Sequence, residues 1–513
     1  LRLRYSPDLA DITGGKGRIA IHDSRLGVWL DEGTADPGRG GVLSLAGSRF
    51  TIDRLGQDPM TGKLDLVAEG SAEAALAYID NPAWRVLSRT GRDPGLATGQ
   101  VELAGTLRLP LMRNIPRDEV VMDFEGVLRN VESDSLVPGK TLTANRLALR
   151  LDSDRVEVEG GVELSGLPAT GHWTQPIRGG APGEVRAQVE LSPGALADFG
   201  IPLPPDMLSG RGTGDLALDF RESGPPDFRL TSALDGLGVE IAPLGWRLTQ
   251  GQSGRFEIAG RLGSPVRIDG LSLSGAGLSA EGGLSLNGSG GFEALRLYRL
   301  TLGNWLDVEG VLTARGPGQI PAIELSGGRV DIRGLPDGSG GAGGGGSPVP
   351  LTLALDRLEV TDRIWVEDMR GRFSLGSALV GSFEGVLGGE EEIVGETSAA
   401  PGGTALRVYA EDAGDAVDGA GLPFRLENGP LELWLVPVPG VQGTYDGQLA
   451  IRQTRLRGMS AVAALLDAIS LVGILDQLNG PGIFFSDVDA RFRLSPQQIV
   501  LQEGTAVGPS MGV

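Results

Sequence analysis

The chain has 513 residues, 45 basic against 66 acidic side chains, a formal net charge of −21 and no cysteine. This charge repels nucleic-acid phosphates, and the missing thiols remove disulfides, thiolate metal sites and cysteine nucleophiles, so nucleic acid is excluded as a partner. Glycine (83) and proline (32) are too frequent for long helices, while 40% hydrophobic residues suffice for a core, so the expected fold is mainly β.

In chain order, the first helical stretch is the short, alanine-rich Ser71 to Ile79. Alternating strands begin at Gly99 to Leu109, where Val101, Leu103, Leu107 and Leu109 stand between polar or small residues. The pattern is clearest at Leu147, Leu149 and Leu151, then, after the turn Asp152 to Asp154, at Val156 and Val158, with Val162 and Leu164 following. These runs predict a meander of antiparallel strands with one apolar face. A soft break lies near Gln175 to Gly183, and Pro193 to Phe199 reads as one or two helical turns capped by Ser192.

Alternation resumes over Val266 to Leu286, with Leu271, Leu273, Leu284 and Leu286 in phase, and continues through Leu295 to Leu312. Glycines at Gly260, Gly270, Gly282-Gly283, Gly310 and Gly327-Gly328 read as strand ends, supplying the positive φ of hairpins and bulges. Asp337 to Ser347 is a glycine-serine linker, followed by Pro348 and Pro350. Leu353 and Leu355 alternate within Leu351 to Val366, and the acidic run Glu390 to Glu392 reads as a solvated loop. The strongest helix is Ser460 to Leu478, an amphipathic stretch of about five turns ending at Asn479-Gly480-Pro481. Its most apolar part is interrupted by Asp467 and falls short of the roughly 20 residues a membrane span needs.

These breaks predict segments 1–175, 176–336 and 351–513, with a linker at 337–350. The expected architecture is an elongated, strongly twisted, mostly antiparallel sheet curled into an open hydrophobic groove, with a few short helices and the amphipathic helix near 460–478.

No catalytic constellation emerges. Gly275 to Ala280 and Gly341 to Gly346 match dinucleotide fingerprints, but neither opens a helix, so the phosphate-cradling geometry is missing. His22 and His172 lie 150 residues apart and support no local triad; Asp152/Asp154 and Asp487/Asp489 read as turn or strand carboxylates rather than calcium ligands. The chain is therefore expected not to be an enzyme and to need no cofactor or metal. The apolar face itself remains, and a greasy groove in an acidic protein suits acyl chains. The expected groove wall is Leu147, Leu149, Leu151, Val156, Val158, Leu271, Leu273, Leu284, Leu286, Leu353 and Leu355.

Several passages carry a family resemblance. Gly458-Met459-Ser460, Asp476 through Phe485, Phe492-Arg493-Leu494, Gly504 and Gly508 through Gly512 resemble the AsmA-like C-terminal region of the YhdP-type bacterial envelope proteins, relatives of TamB and AsmA. Upstream, Gly99-Gln100-Val101 with Leu109-Pro110-Leu111, Ile241 through Trp246 and Ala410 through Gly414 are similar to the same family in the same order. The resemblance implies a periplasmic protein, anchored to the inner membrane in its full-length form, that carries phospholipid between the inner and outer membranes of Gram-negative bacteria and supports outer-membrane lipid homeostasis. It implies that membranes are contacted by segments outside this chain, that envelope proteins are further partners, and that no catalytic residue carries over. The chain opens at Leu1 without methionine and reads as a fragment lacking the family's membrane anchor and extreme C-terminus. The alternative reading is a non-transporting envelope scaffold that assists outer-membrane protein assembly through its sheet edges.

Overall fold

Period-two alternation becomes strand nearly everywhere it occurs, because a single-layer sheet buries the apolar half of each strand and leaves the other half in water. The computed structural model describes residues 2–4, 9–81, 93–112, 115–137, 139–178, 180–199, 201, 203–204, 206–263, 266–316, 318–335, 347–422, 425–441, 443–457, 482–495, 498–508 and 511–512. The predicted helix 460–478, the linker residues 337–346 and most of the quoted C-terminal motif lie outside them.

The chain divides into two units, one of residues 1–239 with 248–266, the other of 240–247 with 267–513. The three expected segments do not match this division: the break expected near residue 175 falls beside an unbroken strand pairing.

The first unit contains β1 (Ile12–His22), β2 (Arg25–Ala35), β3 (Leu43–Ser44), β4 (Arg49–Ile52), β5 (Met60–Ser71), α1 (Ala72–Ile79), β6 (Thr98–Leu111), β7 (Val121–Val137), β8 (Lys140–Asp152), β9 (Arg155–Leu164), β10 (Leu167–Pro176), β11 (Glu184–Leu191) and α2 (Pro193–Phe199). It continues with β12 (Leu208–Gly210), β13 (Gly212–Asp219), β14 (Asp227–Ser232), β15 (Leu237–Ile241), β16 (Trp246–Leu248) and β17 (Arg255–Arg261), the last residues of β15 and most of β16 counting with the second unit. Strands β5 to β11 pair antiparallel in sequence order, and β11, β13, β14 and β17 extend the ladder. Ser71 caps α1 by accepting the Ala74 N–H at 3.0 Å, and Ser192 does the same for α2 from Ala195 at 3.3 Å.

The second unit contains β18 (Arg267–Gly275), β19 (Leu278–Leu286), β20 (Phe292–Leu302), β21 (Leu306–Thr313), β22 (Ala322–Asp331), β23 (Val349–Glu359), β24 (Trp365–Leu375), β25 (Leu379–Leu387), β26 (Glu391–Ala400), β27 (Gly403–Ala410) and α3 (Ala413–Gly419). It ends with β28 (Arg425–Glu427), β29 (Leu431–Pro437), β30 (Tyr445–Arg457), β31 (Ile483–Leu494), β32 (Ile499–Gly508) and β33 (Met511–Gly512). Pairing is antiparallel throughout these described strands except between β22 and β23. The fold is thus mainly β and mostly antiparallel, as expected, with three short α-helices among the described residues.

The glycines behave differently from the expectation. Of those read as strand ends, only Gly327 and Gly328 have positive φ (+63° and +72°), and they form a bulge inside β22. Gly260, Gly282 and Gly310 lie within strands, where a Cβ at Gly282 or Gly310 would meet the backbone of the neighbouring strand. Gly275 to Ala280 is not a phosphate loop: Ala276 and Gly277, at φ +46° and +81°, are the two-residue turn joining β18 to β19. The acidic run is not a solvated loop either, since Glu391 opens β26, is buried, and accepts the Asp412 N–H at 2.9 Å.

Candidate functional site: the apolar sheet face

Residues directly opposite each other in a ladder share a face, so register converts the alternation of single strands into rows running across the sheet. In the first unit one row passes through Ala68, Leu103, Gly126, Leu149, Val158, Trp173, Val185, Leu218, Phe228 and Gly260, one residue from each of ten strands from β5 to β17. No polar side chain interrupts it. The flanking row includes Phe124, Leu151 and Val156 on β7, β8 and β9.

The second unit carries a longer row. From β18 to β32 it runs Leu271, Gly282, Leu297, Gly310, Leu325, Leu353 and Gly371, then Phe383, Gly395, Val408, Leu433, Leu449, Ala490 and Gly504, fourteen strands without a polar side chain. At about 4.8 Å per strand its contour is roughly 60 Å. A parallel row holds Leu284, Leu295, Leu312, Ile323, Leu351 and Phe373.

Bulges keep these rows apolar where strict alternation would break them. Leu297 and Leu300 are three apart yet share a face because β20 bulges between them, and Asp368 (φ +49°) and Gln453 (φ +54°) mark comparable irregularities in β24 and β30. In the second unit the bulges of β20, β22 and β24 fall on the same side of the long row.

That side is covered. Trp246 donates its indole N–H to the carbonyls of Gly275 and Ala276 at 3.1 and 3.2 Å, Trp305 fills the space a side chain at Gly334 would need, and α3 lies against Gly388. Beneath them Leu278, Leu306, Val308, Val330, Leu355 and Ile451 are buried, Leu355 to 2% exposure. The side chains of the long row, from Leu271 to Ala490, are only half-buried. In the first unit the turn Pro94–Leu96 covers Leu147, which packs with Ala97, Val131 and Ala144, while Leu149, Leu151, Val156 and Val158 stay half-buried. Each apolar face is therefore split into a packed strip and an open strip.

Aromatic rings do not stand up in the open strip. The ring of Phe383 lies over Gly395 and that of Phe492 over Gly447, occupying the space a Cβ would need, and the buried Phe373 lies in the same way over Gly371. Glycine beneath each ring lets it lie flat, which keeps the wall shallow.

The opposite face is polar and self-neutralising. Arg129 pairs with Glu102 at 3.1 Å, Arg299 with Asp307 at 3.0 Å and Arg452 with Asp489 at 3.1 Å. The Arg129 hydrogen bond holds the Glu102 carboxyl below its usual range. Asp152 is also lowered, chiefly by the Asp154 N–H donating to it at 2.8 Å, which explains the Asp152/Asp154 pair as turn chemistry. Asp487 and Asp489 both face Arg452. His22 lies exposed beside Asp23, and His172 lines an open concavity of about 370 Å³ in which Arg186 and Arg229 are already paired with Asp219 and Glu257.

The structure thus gathers Leu147, Leu149, Leu151, Val156 and Val158 on one face of the first unit, and Leu271, Leu273, Leu284, Leu286, Leu353 and Leu355 on one face of the second. Leu147 and Leu355 belong to packed strips, Val158 packs against the Leu147 cluster, and Leu273 is half-buried in the row of the buried Leu300 and Val308; the other seven stand in open strips. Sequence reasoning left out Leu103, Trp173, Val185, Leu218 and Phe228 in the first row, and Leu297, Leu325, Phe383, Val408, Leu433 and Leu449 in the second. Their alternation was visible strand by strand, but their register was not.

No protein-family model, no curated protein and no solved structure matches this chain. The family reading therefore rests on the passages quoted from the sequence.

Proposed function

We propose that the open strips bind the acyl chains of phospholipids and that the protein is a non-enzymatic lipid-transfer conduit of the bacterial periplasm, working between inner and outer membranes. The observation that carries this reading is the fourteen-strand row of half-buried apolar side chains in the second unit. Burying hydrocarbon against such a wall is worth about 0.8 kcal/mol per methylene, and a row of similar residues offers no deep well in which a chain would be trapped. Movement along it requires no bond to be made or broken. The polar opposite face keeps the sheet in water, and the resemblance to AsmA-like envelope proteins points the same way.

The test is site-specific photo-crosslinking. A benzophenone amino acid at Leu149, Leu271 or Leu353 should form adducts with phospholipid, whereas the same group at Ser272 or Thr352, on the polar face, should not. Equal labelling from both faces, or none from the apolar one, would overturn the reading. Leu149→Asp and Leu271→Asp should lower lipid transfer between vesicles while leaving the circular dichroism melt intact.

A further inference from the structure

We infer that the hairpin ends joining β24 to β25, β26 to β27 and β29 to β30 rest on a zwitterionic lipid bilayer, the surface from which lipid enters the open strip of the second unit. The inference rests on the lipid reading and adds the side from which the lipid comes. On the polar face a register row crosses these strands at Arg372, Ser382, Glu396, Arg407, Trp434 and Gln448. Beyond that row the chain turns back through residues 373–381, 397–406 and 435–445, which together contain no Asp, Glu, Lys or Arg. Hairpin ends of the first unit are built otherwise. Asp152, Asp154 and Arg155 charge the turn from β8 to β9, and Asp219, Arg221, Glu222 and Asp227 charge the one from β13 to β14.

The three uncharged ends form one patch. The Leu379 N–H donates to Thr404 Oγ1 at 2.9 Å, and Gly402 lies against Pro439, whose Cα is 3.0 Å from where a Cβ would stand. Val380, Val436 and Val441 are 43%, 45% and 52% exposed there, with Pro401 and Pro439 exposed beside them. Moving this patch out of water sacrifices few hydrogen bonds. Pro401, Pro437 and Pro439 have no N–H, and the N–H groups of Val438, Val441 and Thr444 donate within their own turn, to the carbonyls of Thr444, Val438 and Val441. Behind the patch Arg407 pairs with Glu432 and lies 5.5 Å from the Trp434 ring, a charged and amphipathic band suited to the headgroup level. On the apolar face the row Gly381, Thr397, Leu406, Leu435 and Gly447 joins the patch to Phe383, Gly395, Val408, Leu433 and Leu449 of the long row. An acyl chain passing from bilayer to strip therefore meets no charge. The net charge of −21, with no cation at the tips to offset it, opposes both an anionic surface and a second copy of the chain.

Because the chain has no cysteine, Val441→Cys carrying the polarity-sensitive dye NBD reports on this patch alone. The dye should brighten on phosphatidylcholine vesicles, whereas the same dye at Val394→Cys, a valine also 52% exposed but nearer the opposite end of its strand, should not. Replacing about a third of the lipid by phosphatidylglycerol should weaken docking about ten-fold at low salt. The double variant Val436→Glu with Val441→Glu should reduce co-flotation with phosphatidylcholine vesicles about ten-fold, with an unchanged thermal melt. A silent dye at residue 441, equal brightening at both positions, or full flotation of the double variant would overturn the proposal. So would self-association of the lipid-free protein that the double variant abolishes, because a second copy would then occupy the patch. Failure of the lipid reading is distinguishable: vesicle docking without lipid crosslinks from Leu353 removes the strip and its entry step, whereas crosslinks from Leu353 to micellar phospholipid without vesicle docking remove only the docking patch.

Discussion

Leu353 and Leu355 sit two residues apart on one strand and one face, yet Leu355 is 2% exposed and Leu353 is half-buried. Leu355 falls in the strip of buried side chains that includes Val308 and Ile451, and Leu353 in the half-buried long row. Leu355→Ala should therefore cost about 2–5 kcal/mol, the usual range for emptying a filled core site, while Leu353→Ala should cost about 1 kcal/mol or less. Urea unfolding of the two variants checks this, and similar losses would mean that the open strip is packed. A second residue-scale prediction concerns acid. Asp152 has its folded-state pKa lowered, first by the Asp154 N–H. Its stabilisation is complete above the unfolded carboxylate value of about 3.9 and is lost as pH falls through the lowered value. Asp152→Asn keeps an acceptor for the turn but removes the titration, so its melting temperature should fall less steeply than wild type between pH 5 and 3; parallel slopes would remove Asp152 from the account.

At the scale of elements, helix α3 shows how tertiary contacts override propensity. Its sequence, Ala413 to Gly419, holds two aspartates and two glycines, one internal and one at its end, and reads as no helix at all. It forms because Asp412 accepts the N–H groups of Gly414 and Asp415, and because Ala413, Ala416 and Val417 are buried. Asp412→Ala should cost about 1 kcal/mol and expose the end of β26 to faster hydrogen exchange; unchanged protection there would show that the cap is dispensable. The flat aromatic rings make a second element-scale case. Gly395→Val would drive its side chain into the ring of Phe383, forcing a shift that costs about 1–3 kcal/mol and lifts the ring into the open strip.

Over the whole molecule, the described chain has few completely buried large side chains: Leu237, Leu248, Val308 and Thr454. A single sheet layer with partial cover cannot bury more, so apolar surface remains accessible in the folded state. The neutral dye Nile red should accordingly brighten and shift to the blue on mixing with the native protein, and added fatty acid should displace it. A dye that stays dark with folded protein would mean the strips are sealed. The acidic net charge leaves this behaviour intact because most arginines of the polar face are paired across strands, which keeps charge local and exposed.

Composition and alternation alone determined that this chain is a mostly antiparallel β protein with one apolar side to each strand, since glycine content forbids long helices and a two-residue period admits only one pleat. They also placed α1 and α2, whose serine caps are local signals. They did not determine α3, the burial of Glu391, the division at residue 266, or the difference between Leu355 and Leu353. Those depend on register, on bulges that let residues three apart share a face, and on distant segments such as Trp246 and Pro94–Leu96 folding over one side of a sheet. Register and cover are relations between strands far apart in the chain, and a pattern confined to single strands carries no information about either.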